Sequence, residues 1–445
     1  MKIYAPWEKA FQRIATPFEH FIHAQTTTGL ILVFMTILAL ILANSPFAES
    51  YLHFFHINID FNVGSWALSH SLHHWINDGL MAIFFFIIGL EIKREITVGE
   101  LSNLKVAILP ILAAIGGMVF PAAIYLYFNA SSEGANGWGI PMATDIAFAI
   151  SALVLLGKRV PTTLVTFLVA LAIVDDLGAV LVIAIFYTET INIVPLGLAT
   201  ATFFIMLALN RFGIHAILPY FIIGLLMWFF MLESGVHATI AGVLAALTIP
   251  SKPKIAPASF SKDTINLIKE YESYPIQKNH MIHENQKAIL LNIKDRINEV
   301  GTPAERLEHG LHLPVALIII PLFALANAGI AIDFSSIGST VLEPISLGII
   351  AGLILGKVIG IFGVSWLAIK LKIAQLPRGS TMSQIFGVSF LGGIGFTMSI
   401  FVADLAFITS LELIFQAKIG ILCASLFAGL FGFFWLKYVA NKYSK

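Results

Sequence analysis

Four ionisable residues stand inside long apolar runs of this chain: Asp145, Asp175, Asp176 and Lys357. Asp175 and Asp176 are neighbours in LAIVDDLGA, within the run 162–187. A charge carried to the centre of a bilayer-spanning helix costs about 2.5–3.5 kcal/mol on insertion scales, so such residues are there for a reason. One ammonium, Lys357, can balance one carboxylate. The second acid of the pair is then costly unless something else binds it. Buried carboxylates this close cannot both ionise cheaply, so the pair must hold a proton or a cation. A compact oxygen site made of these carboxylates, Thr144, Asp145 and backbone carbonyls suits a hard cation. Sodium or lithium fits, and oxygen chemistry alone leaves potassium open. Competition between protons and a cation for the same carboxylates is all that exchange requires. If the empty, doubly ionised site cannot reorient, it crosses only when loaded, and exchange is obligatory.

The elements that must carry these residues follow from composition. The chain has 445 residues, 58% of them hydrophobic and 12% charged. Its mean hydropathy is +0.88. Ordinary soluble domains are about 25% charged, whereas this excess of apolar sequence suits a bundle of bilayer-spanning helices. Lys+Arg and Asp+Glu balance at 26 each, so nothing points to nucleic acid, and membrane lipid is the expected surrounding. The single cysteine, Cys423, excludes an intrachain disulfide framework and a cysteine-rich metal site.

A span needs roughly 20 residues of helix. Twelve segments qualify: 27–44, 72–91, 106–128, 139–156, 162–187, 194–210, 214–232, 235–250, 312–331, 342–369, 383–407 and 413–437. The first is expected to be a retained span rather than a cleaved leader, because no small-residue cleavage site follows it. The expected fold is therefore an all-α membrane protein of twelve transmembrane helices, one polytopic domain over 1–445. Asp175 lies thirteen residues into its span, a rise of about 20 Å, near mid-membrane. Lys357 sits halfway between Glu343 and Lys370, at similar depth.

Charge bias sets the orientation. Lys93, Arg94, Lys105, Lys158, Arg159, Arg211, a cluster between 251 and 310, Lys370, Lys372 and Arg378 all fall on one set of loops. The opposite loops (45–71, 129–138, 188–193, 233–234, 332–341, 408–412) contain no Lys or Arg. The positive-inside rule puts the first set, and both termini, on the cytoplasmic side. Lys418 is the exception, near the outer end of the last span, where it can snorkel.

Two connections differ from simple turns. Ile57, Ile59, Phe61 and Val63 alternate with Asn58, Asp60 and Asn62, the period of a β-strand outside the membrane. An isolated hairpin is marginal in water, so the 45–71 loop is either a local hairpin or an element that pairs with a second copy. The other connection, 251–310, is a polar cytoplasmic loop with nine Lys/Arg, eight Asp/Glu and an amphipathic stretch near 279–300. Connections of that length are functional or disordered.

Two spans look interrupted. GGIGF at 392–396 puts Gly392, Gly393 and Gly395 near mid-span, each weakening a helix by about 1 kcal/mol. Close helix packing is the alternative use of such glycines. The fourth span carries Pro141, then polar Thr144 and Asp145. A non-helical backbone at this depth is tolerated only inside protein or along a cavity, and matching interruptions in two halves point to a transporter site. Spans 3–5 and 10–12 enter from opposite sides, each with its interrupted helix (4 and 11) in the middle, as inverted repeats would.

Taken together, NDGLMAIFFFIIGLEIKRE, ATDIAFA, LAIVDDLGA, ESGVHATIAGV, LEHGLH followed by PLFALANAG, GKVIGIF and GGIGFTMSIF resemble the bacterial NhaA-type sodium/proton antiporters over nearly the whole chain. Members of that family are themselves examples of the broken-helix rule, so the two arguments are not independent. The resemblance implies that Asp176 is the more direct sodium ligand. It implies that Asp175 is shared between the proton and Lys357, which leaves when sodium enters. It also implies that Thr144 and Asp145 sit where two broken helices cross, compensating facing helix ends. It further implies electrogenic export of Na+ or Li+ for H+, control of internal pH and sodium, no cofactor, and a homodimer joined through the external strand 57–63. A pH response is implied for Glu91, Arg94, Glu95, Glu308, His309 and His312 at the cytoplasmic mouth, and for His237. The 251–310 loop is longer than in familiar members, so a pH threshold does not carry over.

The competing class is a sodium-coupled symporter of a small organic solute, which would need a cavity for that solute and fewer paired acids. A channel or sensor is a third reading, and an enzyme the least favoured. GLILGK (352–357) is one residue short of a phosphate loop and is followed by Val358.

Overall fold

The computed structural model describes residues 25–63, 66–188, 191–274, 282–331 and 337–443. The expected cytoplasmic N-terminal stretch 1–24, and 279–281 of the expected amphipathic stretch, lie outside these. In chain order the first elements are α1 (Gln25–Ala43), α2 (Ala48–His56), β1 (Asn58–Val63) and β2 (Trp66–Ser71). Next come α3 (Leu72–Thr97), α4 (Leu104–Asn129), the interrupted α5 (Glu133–Met142, then Ile146–Val154) and α6 (Thr162–Phe186). Then follow α7 (Ile193–Arg211), α8 (Ile217–Glu233), α9 (Thr239–Thr248), α10 (Pro257–Ser273) and α11 (Glu284–Val300). The chain closes with α12 (Pro303–Asn327), α13 (Pro344–Lys370), the interrupted α14 (Met382–Leu391, then Phe396–Ala406) and α15 (Leu411–Tyr443).

Eight helices are long and apolar enough to cross a membrane, or ten when the bent pairs α1–α2 and α14 are each counted as one span. The shorter apolar helices α8 and α9 fall on the seventh and eighth expected spans. By length alone the count is eight to ten among the described residues, not twelve. The protein is thus a multi-pass helical membrane protein. Phe34 and Ile41 on α1, Phe204 on α7 and Phe221 on α8 are exposed, as lipid-facing side chains should be.

Several boundaries moved, each for a local reason. The fourth span begins at Glu133 rather than 139, because Glu133–Met142 forms a tight 3₁₀ helix where a loop was expected. The ninth begins at Pro303 rather than 312. Thr302 and Glu305 make a reciprocal capping box, with Pro303 at the first helical position. Glu308 and His309, expected in the loop, are therefore on the same helix as His312. The 45–71 segment contains the extra helix α2, turned 113° from α1. The 251–310 insertion holds two helices, α10 and α11, tied by Arg296–Asp263 at 2.6 Å. Its base is closed by Ala304 N donating to Pro250 O at 3.2 Å.

The strand expected at 57–63 is real and its partner is local: β1 pairs antiparallel with β2, Asn58 opposite Ser71. The hairpin defines one side of the molecule. The other, the basic side, carries Lys93, Arg94, Arg159 and Arg211 at its helix ends.

Candidate functional site

The site is built where α5 and α14 cross. Each breaks in its middle, and each break leaves helix ends without backbone partners. The resulting donors and acceptors are matched in trans. Thr144 Oγ1 donates to Gly392 O at 2.8 Å. Asp145 N donates to Ile394 O at 2.6 Å.

Asp145 then serves two N-termini. It is the N-cap of the second half of α5, accepting from Phe148 N at 3.2 Å. The second half of α14 starts in GGIGF, which offers no capping side chain of its own. Asp145 Oδ2 supplies it, accepting from Thr397 N at 3.0 Å and Thr397 Oγ1 at 2.5 Å. A carboxylate suits the positive ends of two helix dipoles. The opposite charge sits at the facing carbonyl end. Lys357 Nζ donates to Met142 O, the last residue of the first half of α5, and to Thr144 Oγ1 at 2.9 Å.

The same ammonium reaches Asp175 Oδ2 at 2.9 Å, with both side chains essentially inaccessible. Asp175 Oδ1 and Asp176 Oδ2 are buried without a hydrogen-bond partner among the described residues. The arithmetic of one ammonium and two acids therefore holds in space. Burying an unpaired ionised carboxylate is expensive, so these oxygens are where a proton or cation would bind.

A cavity of about 430 Å³ joins this crossing to the basic side. Thr144, Asp145 and Asp176 lie at its inner end, and Glu91, Arg94, Glu308, His309 and His312 line it further out. Arg94 pairs with Glu308 and, at 3.2 Å, with Glu95. Toward the hairpin side, Phe401 packs against Phe85 and Phe323 with centroids 5.7 and 6.1 Å away, all three buried.

Not every expected residue gathers here. His237 lies on the hairpin side, its Nε2 donating to Tyr187 O at 2.8 Å, away from the other residues implied in a pH response. A larger surface cavity of about 800 Å³ on that side, with His70, Asn192 and Glu233, includes none of the expected site residues. Pro141 is the penultimate residue of the 3₁₀ segment, and Gly392, Gly393 and Gly395 form the break in α14. A Cβ on Gly395 would meet Leu353 at 3.0 Å and Ala143 O at 3.1 Å, so a close backbone crossing uses this glycine too. Sequence reasoning missed Thr397, Met142 and Tyr187. Thr397 stands two residues past the glycine break, the one legible hint of a helix start there.

The profile of the family described as Na+/H+ antiporter 1 matches residues 19–436. The chain is similar to the Na+/H+ antiporter NhaA of Sulfurimonas denitrificans, 68% identical over 441 residues and covering 99% of each chain. It is 49% identical to Na+/H+ antiporter NhaA 1 of Saccharophagus degradans, covering 99% of this chain and 95% of that one. To the Na+/H+ antiporter NhaA of Dichelobacter nodosus it is 46% identical, covering 98% and 94%. A match of this length and identity makes the chain a member of the NhaA-type Na+/H+ antiporters, which are secondary transporters rather than enzymes and need no cofactor.

Proposed function

We propose that this chain exports sodium, or lithium, in exchange for protons across the bacterial inner membrane, with its basic side and both termini in the cytoplasm. The observation that carries the reading is the balance at the crossing: Lys357 holds Asp175 while Asp176 keeps a buried oxygen without a partner at the inner end of the cavity. In the cycle, Na+ enters from the basic side and takes carboxylate oxygens. Lys357 leaves Asp175 for other acceptors, of which Met142 O and Thr144 Oγ1 are already within its reach. The loaded site then turns to the hairpin side, releases the ion and returns with protons. Two carboxylates titrating for one monovalent ion move net charge, which makes the exchange electrogenic. Glu91, Glu308, His309 and His312 line the entrance, with Glu95 paired to Arg94 beside it; acids there concentrate cations, and the pH response is assigned to this group.

The test uses everted membrane vesicles carrying a proton gradient. Added sodium should dissipate the gradient with the unaltered protein, and Asp176→Asn should abolish that response. Retained sodium-driven proton release in Asp176→Asn would sink the assignment. A response that needs an added organic solute would favour the symporter instead.

A further inference from the structure

The first half of α5, Glu133–Met142, is a weak element with an exacting task. Its last carbonyl, Met142 O, holds Lys357 Nζ. Yet its sequence, EGANGWGIPM, contains three glycines and a proline and winds as a 3₁₀ helix. Such helices have poor hydrogen-bond geometry and rarely persist beyond three or four residues, and glycine adds conformational entropy to lose. Something outside the segment must fix it.

Tyr125 holds Gly134 O at 2.7 Å and Ser399 holds Ile140 O at 2.8 Å, but Tyr187 alone of the three bonds both a donor and an acceptor of the segment. Its hydroxyl accepts from Gly139 N at 3.0 Å and donates to Asn136 O at 2.7 Å, satisfying both polar directions of a buried phenol. Its ring lies against Trp138, centroids 6.4 Å apart and planes 29° from parallel. Gly139 is glycine because a Cβ there would stand 2.6 Å from the Tyr187 hydroxyl. Tyr187 also directly follows α6, and its N–H still donates to Ile183 O at 3.2 Å. The helix that carries Asp175 and Asp176 therefore ends in the clamp on the half-helix that holds Lys357. Asp175, α6, Tyr187, the first half of α5, Met142, Lys357 and Asp175 again form a closed ring. On its other face the backbone carbonyl of Tyr187 accepts from His237, so the approach to α9 is tied to the same residue.

We propose that Tyr187 is a positioning residue for antiport, setting how firmly Lys357 competes with sodium for Asp175. The inference rests on reading Asp175, Asp176 and Lys357 as the ion site. Tyr187→Phe keeps the ring and removes both hydroxyl bonds. In everted vesicles of the full-length protein it should shift the apparent KM for sodium on the order of tenfold, with the maximal rate little changed. Gly139→Ala crowds the same hydroxyl from the other partner and should shift KM in the same direction. It serves as the test if Tyr187→Phe does not accumulate in the membrane. Trp138→Phe disturbs the packing but leaves the hydroxyl bonds, and should leave KM unaltered. An unchanged KM in Tyr187→Phe overturns the proposal, as does an equal shift in Trp138→Phe, which would make the role mere packing. Either result alongside a silent Asp176→Asn leaves the ion-site reading standing. An active Asp176→Asn removes that reading and this inference with it.

Discussion

Asp145 closes two helix ends at once, one on its own chain segment and one on α14. The consequence is a stability role separable from ion binding. Replacing an N-cap side chain by alanine costs about 0.5–2 kcal/mol. Asp145→Ala removes two caps and leaves Thr397 Oγ1 without its partner, so the loss should reach the upper part of that range or exceed it. Thermal denaturation in detergent should show a clearly lower midpoint for Asp145→Ala. Asp145→Asn keeps an acceptor oxygen and should recover much of the loss. Equal midpoints for all three proteins would show that the crossing does not depend on these caps. The sequence marked Asp145 as a buried charge but could not show this duty. A cap is normally read from the residues just after it, and half of this one lies 252 positions away.

Among the elements, α4 and α13 touch backbone to backbone. A Cβ on Gly360 would run into the Gly116 carbonyl and come within 2.8 Å of Gly117 N. This contact lies one turn from Lys357, so it also fixes the lysine's depth. Gly363, three residues on, has nothing within 4 Å of the same construction. The two glycines should therefore respond with opposite sign. Gly360→Ala should destabilise by about 1–3 kcal/mol through overpacking. Gly363→Ala should be neutral or slightly stabilising, since alanine is the better helix former by about 1 kcal/mol. Melting the two variants side by side checks this. Matching shifts would mean that helix propensity, not the contact, decides. A separate close approach marks the glycine-rich break in α14, where a Cβ on Gly393 would run into Leu353 O, so both readings of GGIGF apply: the helix is interrupted, and the backbones pack closely.

For the whole molecule, the hairpin is a sheet of two strands only among the described residues. A two-stranded sheet is marginal in water, both its edges present unpaired backbone groups, and Ile57 beside it and Ile59 within it are exposed. Pairing with a second copy would cover an edge. Replacing residues 58–71 by a short glycine linker should convert a dimer into a monomer, measured by light scattering in detergent, while sodium-driven proton release continues. A variant that remains dimeric would place the interface elsewhere. The α10–α11 insertion is by contrast self-contained, with its own ion pairs and a closed base, so of the two expectations for a connection this long, functional or disordered, its described residues are folded.

Hydropathy alone showed a multi-pass helical bundle, because a bilayer demands long apolar helices wherever the chain crosses it, though not its exact span count or boundaries. Charge cost alone singled out Asp175, Asp176 and Lys357, because an ionisable group in that medium needs a partner. The glycines and Pro141 marked where helices break. Tertiary structure decided the rest. It decided which half-helices Asp145 caps, and that Tyr187 braces the segment ending at Met142. These are contacts between residues 48 to 252 positions apart. Local pattern sees only neighbours, and a broken helix leaves its polar ends to be satisfied by whatever the fold brings across.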